Sequence, residues 1–457
     1  MRTRPDRRWR FAGIGGRAWA LWVAGLAACT SVGEAPPRPA TTRDAGASMP
    51  EAASATDADP QHRADSGGRP ADAAPPDAGP SEGGPPDAGT SDAVTPDAEA
   101  GAPDADAFPV PDWPTGTPES EGLDSAGLAQ AATIAAADGS FCLLVIRHGV
   151  LVAESYWNGS SQTTANPSWS LAKSYTGTLV GIALDRGDIK TIDDSVADYV
   201  PEWQGTDLAP ITIRDLLSMT SGLSWNVFGD YVVFAELTAD QTAYAVAQTL
   251  ASTPGTTWTY DNAAVQVFER VFVNATGMQL DEYAQAYLWS AIGIQATWAH
   301  DASGSTTAYA NVFTTCRDHA RLGYLFLHHG NWAGTQVVSS AYVAATVTPS
   351  QTMNGAYGYL WWVNSATPAE DALMQPWPGR MVPFAPTDLF AARGFGNQFI
   401  DVIPSLDMLV IRFGQDPLGH GADGGVVDGG FNLGALLTDS QFQLHDQILA
   451  PILAAVQ

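Results

Sequence analysis

The chain changes character close to Trp113. Between residues 30 and 112, Ala, Asp, Pro and Gly follow one another with almost no large apolar side chain, and the phrase Pro-Asp-Ala starts at Pro76, Pro86, Pro96 and Pro103. Nothing in that phrase can be buried to offset the entropy of ordering, so residues 30–112 read as a disordered linker. From Trp113 the apolar positions become periodic. Phe141 to Ile146, a turn at Arg147-His148-Gly149, and Val150 to Ala153 predict a β-hairpin. Leu171 to Leu184, stopped by Gly187, predicts a buried helix. Thr212 is placed to cap a helix running to Ser221 with Gly222 as terminator, and further helical patterns lie near Thr242–Leu250, Ala264–Asn274, Leu280–Leu288 and Asp318–His329. Strand patterns return at Tyr357–Val363, Gln398–Ile403 and Met408–Phe413, before a closing helix through Leu449 and Ile452. Strands at both ends with helices between them predict an α/β domain over 113–457: an antiparallel sheet flanked by helices, with an inserted all-helical domain at roughly 188–330. The boundary between the two is the natural place for a small-molecule cleft.

The first residues add a destination. Arginines at positions 2, 4, 7, 8, 10 and 17 surround and precede an apolar run from Ala18 to Ala28, too short to span a bilayer but suited to a signal peptide. It ends in Leu26-Ala27-Ala28-Cys29, which resembles the bacterial lipobox. That resemblance implies cleavage before Cys29, its lipidation, and an exported lipoprotein held in the bacterial cell envelope, on the periplasmic side or the cell surface. The two remaining cysteines, Cys142 and Cys316, are far apart in sequence and read more readily as small buried hydrophobes than as a disulfide. A formal net charge of −28, with 16 acidic and 4 basic groups in residues 30–112 alone, leaves no basic face and excludes nucleic acid as a partner.

Lysine is almost absent: Lys173 and Lys190 stand against 19 Arg. Where any cation would serve, this chain uses Arg, so a retained Lys points to chemistry that Arg cannot perform. An ammonium can be desolvated until it gives up its proton, whereas a guanidinium cannot. Lys173 follows Ser170 by three residues, which at the start of a helix puts amine and hydroxyl on one face within reach of each other. Ser170 is the candidate nucleophile and Lys173 its base. Tyr260-Asp261-Asn262 supplies a phenol able to relay a proton and an amide able to bond both the lysine and a substrate, although Tyr260 alone reads equally well as a packed turn aromatic. Ala392-Arg393-Gly394-Phe395 precedes the strand from Phe399. A glycine there admits a substrate close to the backbone, and a main-chain N–H there with that of Ser170 would form an oxyanion hole; an ordinary turn into a strand is the other reading.

Taken in order, Ser170-Leu171-Ala172-Lys173, Asp193-Asp194 to Tyr199-Val200-Pro201-Glu202, Ile211 to Gly222, and Pro254-Gly255 to Asn262 resemble the β-lactamase-related serine hydrolases, with a penicillin-binding-protein or transpeptidase-like fold. Within them the chain looks most like the esterase and 6-aminohexanoate-dimer-hydrolase branch. The resemblance implies Ser170, Lys173 and Tyr260 as catalytic residues, with Asn262, Arg393, Gly394 and Phe395 binding a small-molecule ester, amide or peptide substrate, and no cofactor or metal. One departure matters: β-lactamases and carboxypeptidases place Lys or His two residues before the glycine, where this chain has Ala392. That removes the usual partner of a substrate carboxylate unless Arg393 replaces it, and favours neutral esters or amides over β-lactams and D-alanyl-D-alanine peptides. A non-catalytic envelope protein of the same fold is the reading from another class. The one G-x-S-x-G, Gly79 to Gly83, lies in the linker, where no nucleophile elbow can form. His328-His329 is an adjacent pair pointing in different directions. Trp225, Trp258, Trp361 and Trp362 read as core rather than as a cleft lining.

Overall fold

The computed structural model describes residues 108–109, 111–364, 368–415 and 443–457. The expected signal peptide, Cys29 and the linker up to residue 107 lie outside the described residues. The main sheet has six antiparallel strands, β1 (Ser140–Arg147), β2 (Val150–Tyr156), β3 (Trp362–Val363), β4 (Phe390–Gly394), β5 (Gln398–Ile403) and β6 (Met408–Gly414), in the order β2-β1-β6-β5-β4-β3. The β1–β2 hairpin turns through His148 and Gly149, both at positive φ, as the sequence pattern requires. Every residue of β5 and β6 is buried, so the sheet is covered on both faces. One face carries α1 (Ser125–Ala137) and the closing helix α7 (Gln443–Ala454), which pack on each other; the other carries α6 (Cys316–Leu327). Gly323 of α6 sits directly on Ile400 of β5. The mixed helix and antiparallel-sheet architecture is the expected one.

Between the two halves of the sheet run α2 (Ala172–Arg186), α3 (Ile213–Leu217), α4 (Gln241–Val246) and α5 (Asn262–Thr276). Residues 188–330 are largely helical but also carry the short strands Thr297–Trp298 and Val312–Thr314. Strand Val312–Thr314 pairs with Thr297–Trp298 on one side and with Asn166–Pro167 on the other, tying this region to the segment that enters the Ser170 turn.

Two elements are shorter than their apolar runs suggest, and a third changes helix type part-way. α3 begins on a capping box between Thr212 and Asp215 but ends at Leu217, because Met219 takes φ +59° and the chain turns to bond Thr259 and Gly255. The run Tyr357–Val363 contributes only Trp362 and Val363 to the sheet, since Leu360 adopts φ +58° and the backbone N–H groups of Tyr359 and Leu360 bond Thr346 and Leu217 instead. The run from Leu280 passes from α-helix into a π-turn at Gln285–Trp289. Trp258, Trp361 and Trp362 are buried in the core, as expected.

Cys142 of β1 and Cys316 at the start of α6 form a disulfide across 174 residues of sequence, against the reading of two separate hydrophobes. Sequence distance carried no information about their separation, because the fold lays the first turn of α6 against β1. Such pairing persists in oxidising compartments.

Candidate active site

Ser170 lies in a single 3-10 turn, Trp169–Leu171, that runs straight into α2. The turn is held from outside. Ser168 exchanges bonds with Val312 (Ser168 N to Val312 O 3.0 Å; Val312 N to Ser168 Oγ 2.9 Å). Asn311 clamps Trp169 by accepting its N–H on Oδ1 at 3.2 Å and donating its own N–H to the Trp169 carbonyl at 3.1 Å. Trp169 takes φ +50°, a conformation that costs a bulky side chain on the order of 1–3 kcal/mol, and the Asn311 clamp keeps it there. The result presents Ser170, partly exposed, at the head of a buried helix.

Lys173 stands one turn further on, 1% exposed, with Nζ 2.9 Å from Ser170 Oγ, 2.7 Å from Asn262 Oδ1 and 3.0 Å from the Tyr309 carbonyl. The chemistry of these partners differs. An ammonium can donate to all three. A neutral amine has two hydrogens and one lone pair, and the two carbonyl oxygens can only accept. Both hydrogens are therefore committed to Asn262 and Tyr309, and the lone pair faces the one partner with a proton to give, the Ser170 hydroxyl. Burial pushes the Lys173 ammonium down to about 7, against the pull of Asp230 and Asp261, which favour its charge. With two lysines in the chain, ¹³Cε-lysine labelling yields two signals. The one that remains in Lys190→Arg is expected to titrate near pH 7, and a midpoint above 9 would show that the amine is not poised as a base.

Tyr260 is buried, its ring 4.8 Å below Lys173 Nζ and packed among Trp258, Tyr357 and Trp362. Burial raises its phenol well above the ordinary value, while a hydrogen bond with Ser170 works the other way, so it stays protonated and available as a donor. Asn262 opens α5, which Asp261 caps through Ala264 N at 3.1 Å. The structure thus brings Ser170, Lys173, Tyr260 and Asn262 together. Asp230, with no signal in the sequence reading, lies under Asn262 and bonds its amide at 2.9 Å.

The β4 residues divide. Gly394 faces the Ser170 turn, and a Cβ there would lie 2.2 Å from the Ser168 carbonyl oxygen. What comes close to this glycine is the nucleophile's own turn, where the sequence suggested a substrate. The Phe395 ring meets Trp169 edge-on at 6.1 Å. Arg393 points the opposite way. Strand alternation sends its side chain through the far face of the sheet to α7, where Nη2 lies 3.1 Å from His445 Nε2 and 4.0 Å from Asp401 Oδ1. Arg393 therefore does not replace the missing cation at the groove.

Comparison with known proteins places the chain in a family. A profile of the family described as Beta-lactamase matches residues 121–421. The 6-aminohexanoate-dimer hydrolase of Paenarthrobacter ureafaciens is 28% identical over 249 residues, 48% of this chain and 63% of that protein, so the match spans less than two thirds of the relative. Among solved structures, EstCE1, a hydrolase with promiscuous acyltransferase activity, superposes with a TM-score of 0.54 at 16% identity, covering 73% of this chain and 99% of the other. A penicillin-binding-protein homolog from Caulobacter crescentus gives 0.51 at 14% identity, covering 65% and 93%. With the profile running through most of the folded part and the fold shared at this level, the chain belongs to the beta-lactamase family of serine hydrolases.

Proposed function

We propose that this protein hydrolyses neutral esters or amides through an acyl-enzyme on Ser170, and that the carrying observation is the Lys173 amine whose hydrogens are both committed away from the serine. Ser170 Oγ attacks the acyl carbon as Lys173 takes its proton. The oxyanion forms beside the backbone N–H groups of Ser170 and Phe395. Tyr260 donates its phenolic proton to the leaving group and regains one from the Lys173 ammonium, which becomes a free amine again; water then attacks the acyl carbon, its proton is taken up, and the acyl chain leaves as Ser170 Oγ is reprotonated.

The preference for neutral acyl groups rests on charge. Ala392 and Gly394 face the site from β4, Arg393 is turned to α7, and residues 416–442 contain neither Lys nor Arg. A substrate carboxylate near Ser170 would meet buried Asp230, with the cation beside it, Lys173, already bonded to Asn262 and Tyr309. On the purified domain from Trp113, p-nitrophenyl esters and uncharged ω-amino-acid amides are expected to turn over with kcat/KM at least about tenfold above a chromogenic cephalosporin or a D-alanyl-D-alanine peptide, since one unpaired charge is worth more than about 1.4 kcal/mol. A reversed order would return the protein to the β-lactamase or carboxypeptidase reading. Failure of every acylating probe to modify Ser170 would leave a binding protein.

A further inference from the structure

We propose that Asp230 is the positioning residue of this centre: it fixes the Asn262 amide with its oxygen toward Lys173, and so reserves the lysine lone pair for Ser170. The inference rests on the acyl-transfer reading above and extends it to a residue that touches no reacting atom.

Asp230 is buried, and its carboxylate accepts three bonds from the start of α5: Asn262 Nδ2 at 2.9 Å and Asn262 N at 3.3 Å on Oδ2, and Ala263 N at 3.3 Å on Oδ1. A carboxylate only accepts, so Nδ2 must face it and Oδ1 must face Lys173 at 2.7 Å. With the amide reversed, an N–H would point at Nζ. The neutral amine would then spend its lone pair on Asn262 and have none for the serine proton. Capping explains only the bonds to Asn262 N and Ala263 N, which Asp261 leaves open when it caps α5 through Ala264; the bond to Asn262 Nδ2 satisfies no helix N–H. The placement is also local and unusual. Asp230 lies on a nine-residue π-helix, Gly229–Leu237, whose first turn is tied by Asn226 to Gly229 N at 2.7 Å and Asp230 N at 2.9 Å. Such segments are rare and concentrate at functional sites.

The groups facing this carboxylate are Lys173, Asp261, Tyr231, Tyr260 and Tyr309; those facing Lys173 are Asp230, Asp261, Tyr260 and Tyr309. Asp230 favours the lysine charge, so removing its negative charge lets the ammonium deprotonate at lower pH.

The test is Asp230→Asn, read as the acylation rate of Ser170 by a fluorophosphonate probe between pH 5 and 9, beside a thermal melt. The plateau rate is expected to fall about 30-fold or more, within the range of a misdirected general base, while the acid limb moves to lower pH. A purely structural role would lower the melt and leave the limb in place. Asp230→Glu keeps a carboxylate acceptor for Asn262 Nδ2 without setting a charge against Lys173, and is expected to recover about tenfold or more over Asp230→Asn. A folded Asp230→Asn protein acylated within about threefold of wild type, its limb unmoved, overturns the proposal. Should that variant not fold, Asp230→Glu decides: acylation no faster than in Lys173→Ala overturns it. Wild type that takes no probe removes the hydrolase reading itself, and this inference with it.

Discussion

Ser170→Ala is expected to abolish covalent labelling by fluorophosphonate and penicillin-type probes, and Lys173→Arg to slow it by about three orders of magnitude or more. The arginine variant is the sharper of the two. It keeps a cation in the cavity, so whatever Lys173 contributes as charge against Asp230 and Asp261 is largely retained. What it cannot do is lose a proton at working pH. A guanidinium facing Ser170 Oγ, Asn262 Oδ1 and the Tyr309 carbonyl has only donors to offer, so the serine hydroxyl has no acceptor for its proton. Lys173→Ala should fall as far for a second reason, because it strands the Asn262 and Tyr309 oxygens in a buried pocket at about 1–3 kcal/mol each. Intact-mass measurement of adduct against time resolves all three variants. Labelling of Ser170→Ala at another serine would refute the nucleophile, and Lys173→Arg at more than a tenth of the wild-type rate would refute the base.

The Ser170–Lys173 pair was legible because composition isolates it. A chain that spends 19 of its 21 basic residues on Arg and places one of its two Lys three positions after a serine announces the pair without any structure. Local periodicity likewise located α2, α5, α6 and the strands β1, β2, β5 and β6 within a few residues, since each has one dominant environment. What stayed hidden depends on long-range placement. Asp230 sits on a π-helix, which has no 3.6-residue signature, and its partner lies 32 residues away. The Tyr309 carbonyl acts through the backbone, and the Asn311 clamp joins a backbone N–H to a side-chain oxygen across 142 residues, with no local pattern to mark either role. Arg393 could be placed on β4 but not on a face, because alternation fixes sidedness only once the register is known; pairing Arg393 with Phe399 and Gly394 with Gln398 settles it. The disulfide failed for the same reason: 174 residues of sequence say nothing about two positions that the sheet brings side by side.

Gly394→Ala should cost about a hundredfold in acylation rate while leaving the protein folded. The added Cβ would lie 2.2 Å from the Ser168 carbonyl oxygen and 3.2 Å from Leu171 N, both backbone atoms on either side of the nucleophile, so no rotamer change can relieve the clash. Either β4 or the Ser170 turn must yield. β4 is anchored by its register with β5, whose residues are all buried, whereas the turn already holds Trp169 at a strained φ and depends on paired bonds to Val312 and Asn311 alone. The turn is the softer partner, and a displacement on the order of 1 Å in a reacting group is worth about 10²-fold. Gly323→Ala provides the contrast. Its Cβ would meet Ile400 Cγ2 at 2.6 Å in the packing of α6 on β5, so it should lower stability by about 1–3 kcal/mol with acylation little changed. Melting temperature and labelling rate measured on both variants separate overpacking of a core from displacement of a nucleophile. Equal labelling of Gly394→Ala and wild type would mean that the turn does not need the close approach of β4, and that the glycine serves the substrate after all.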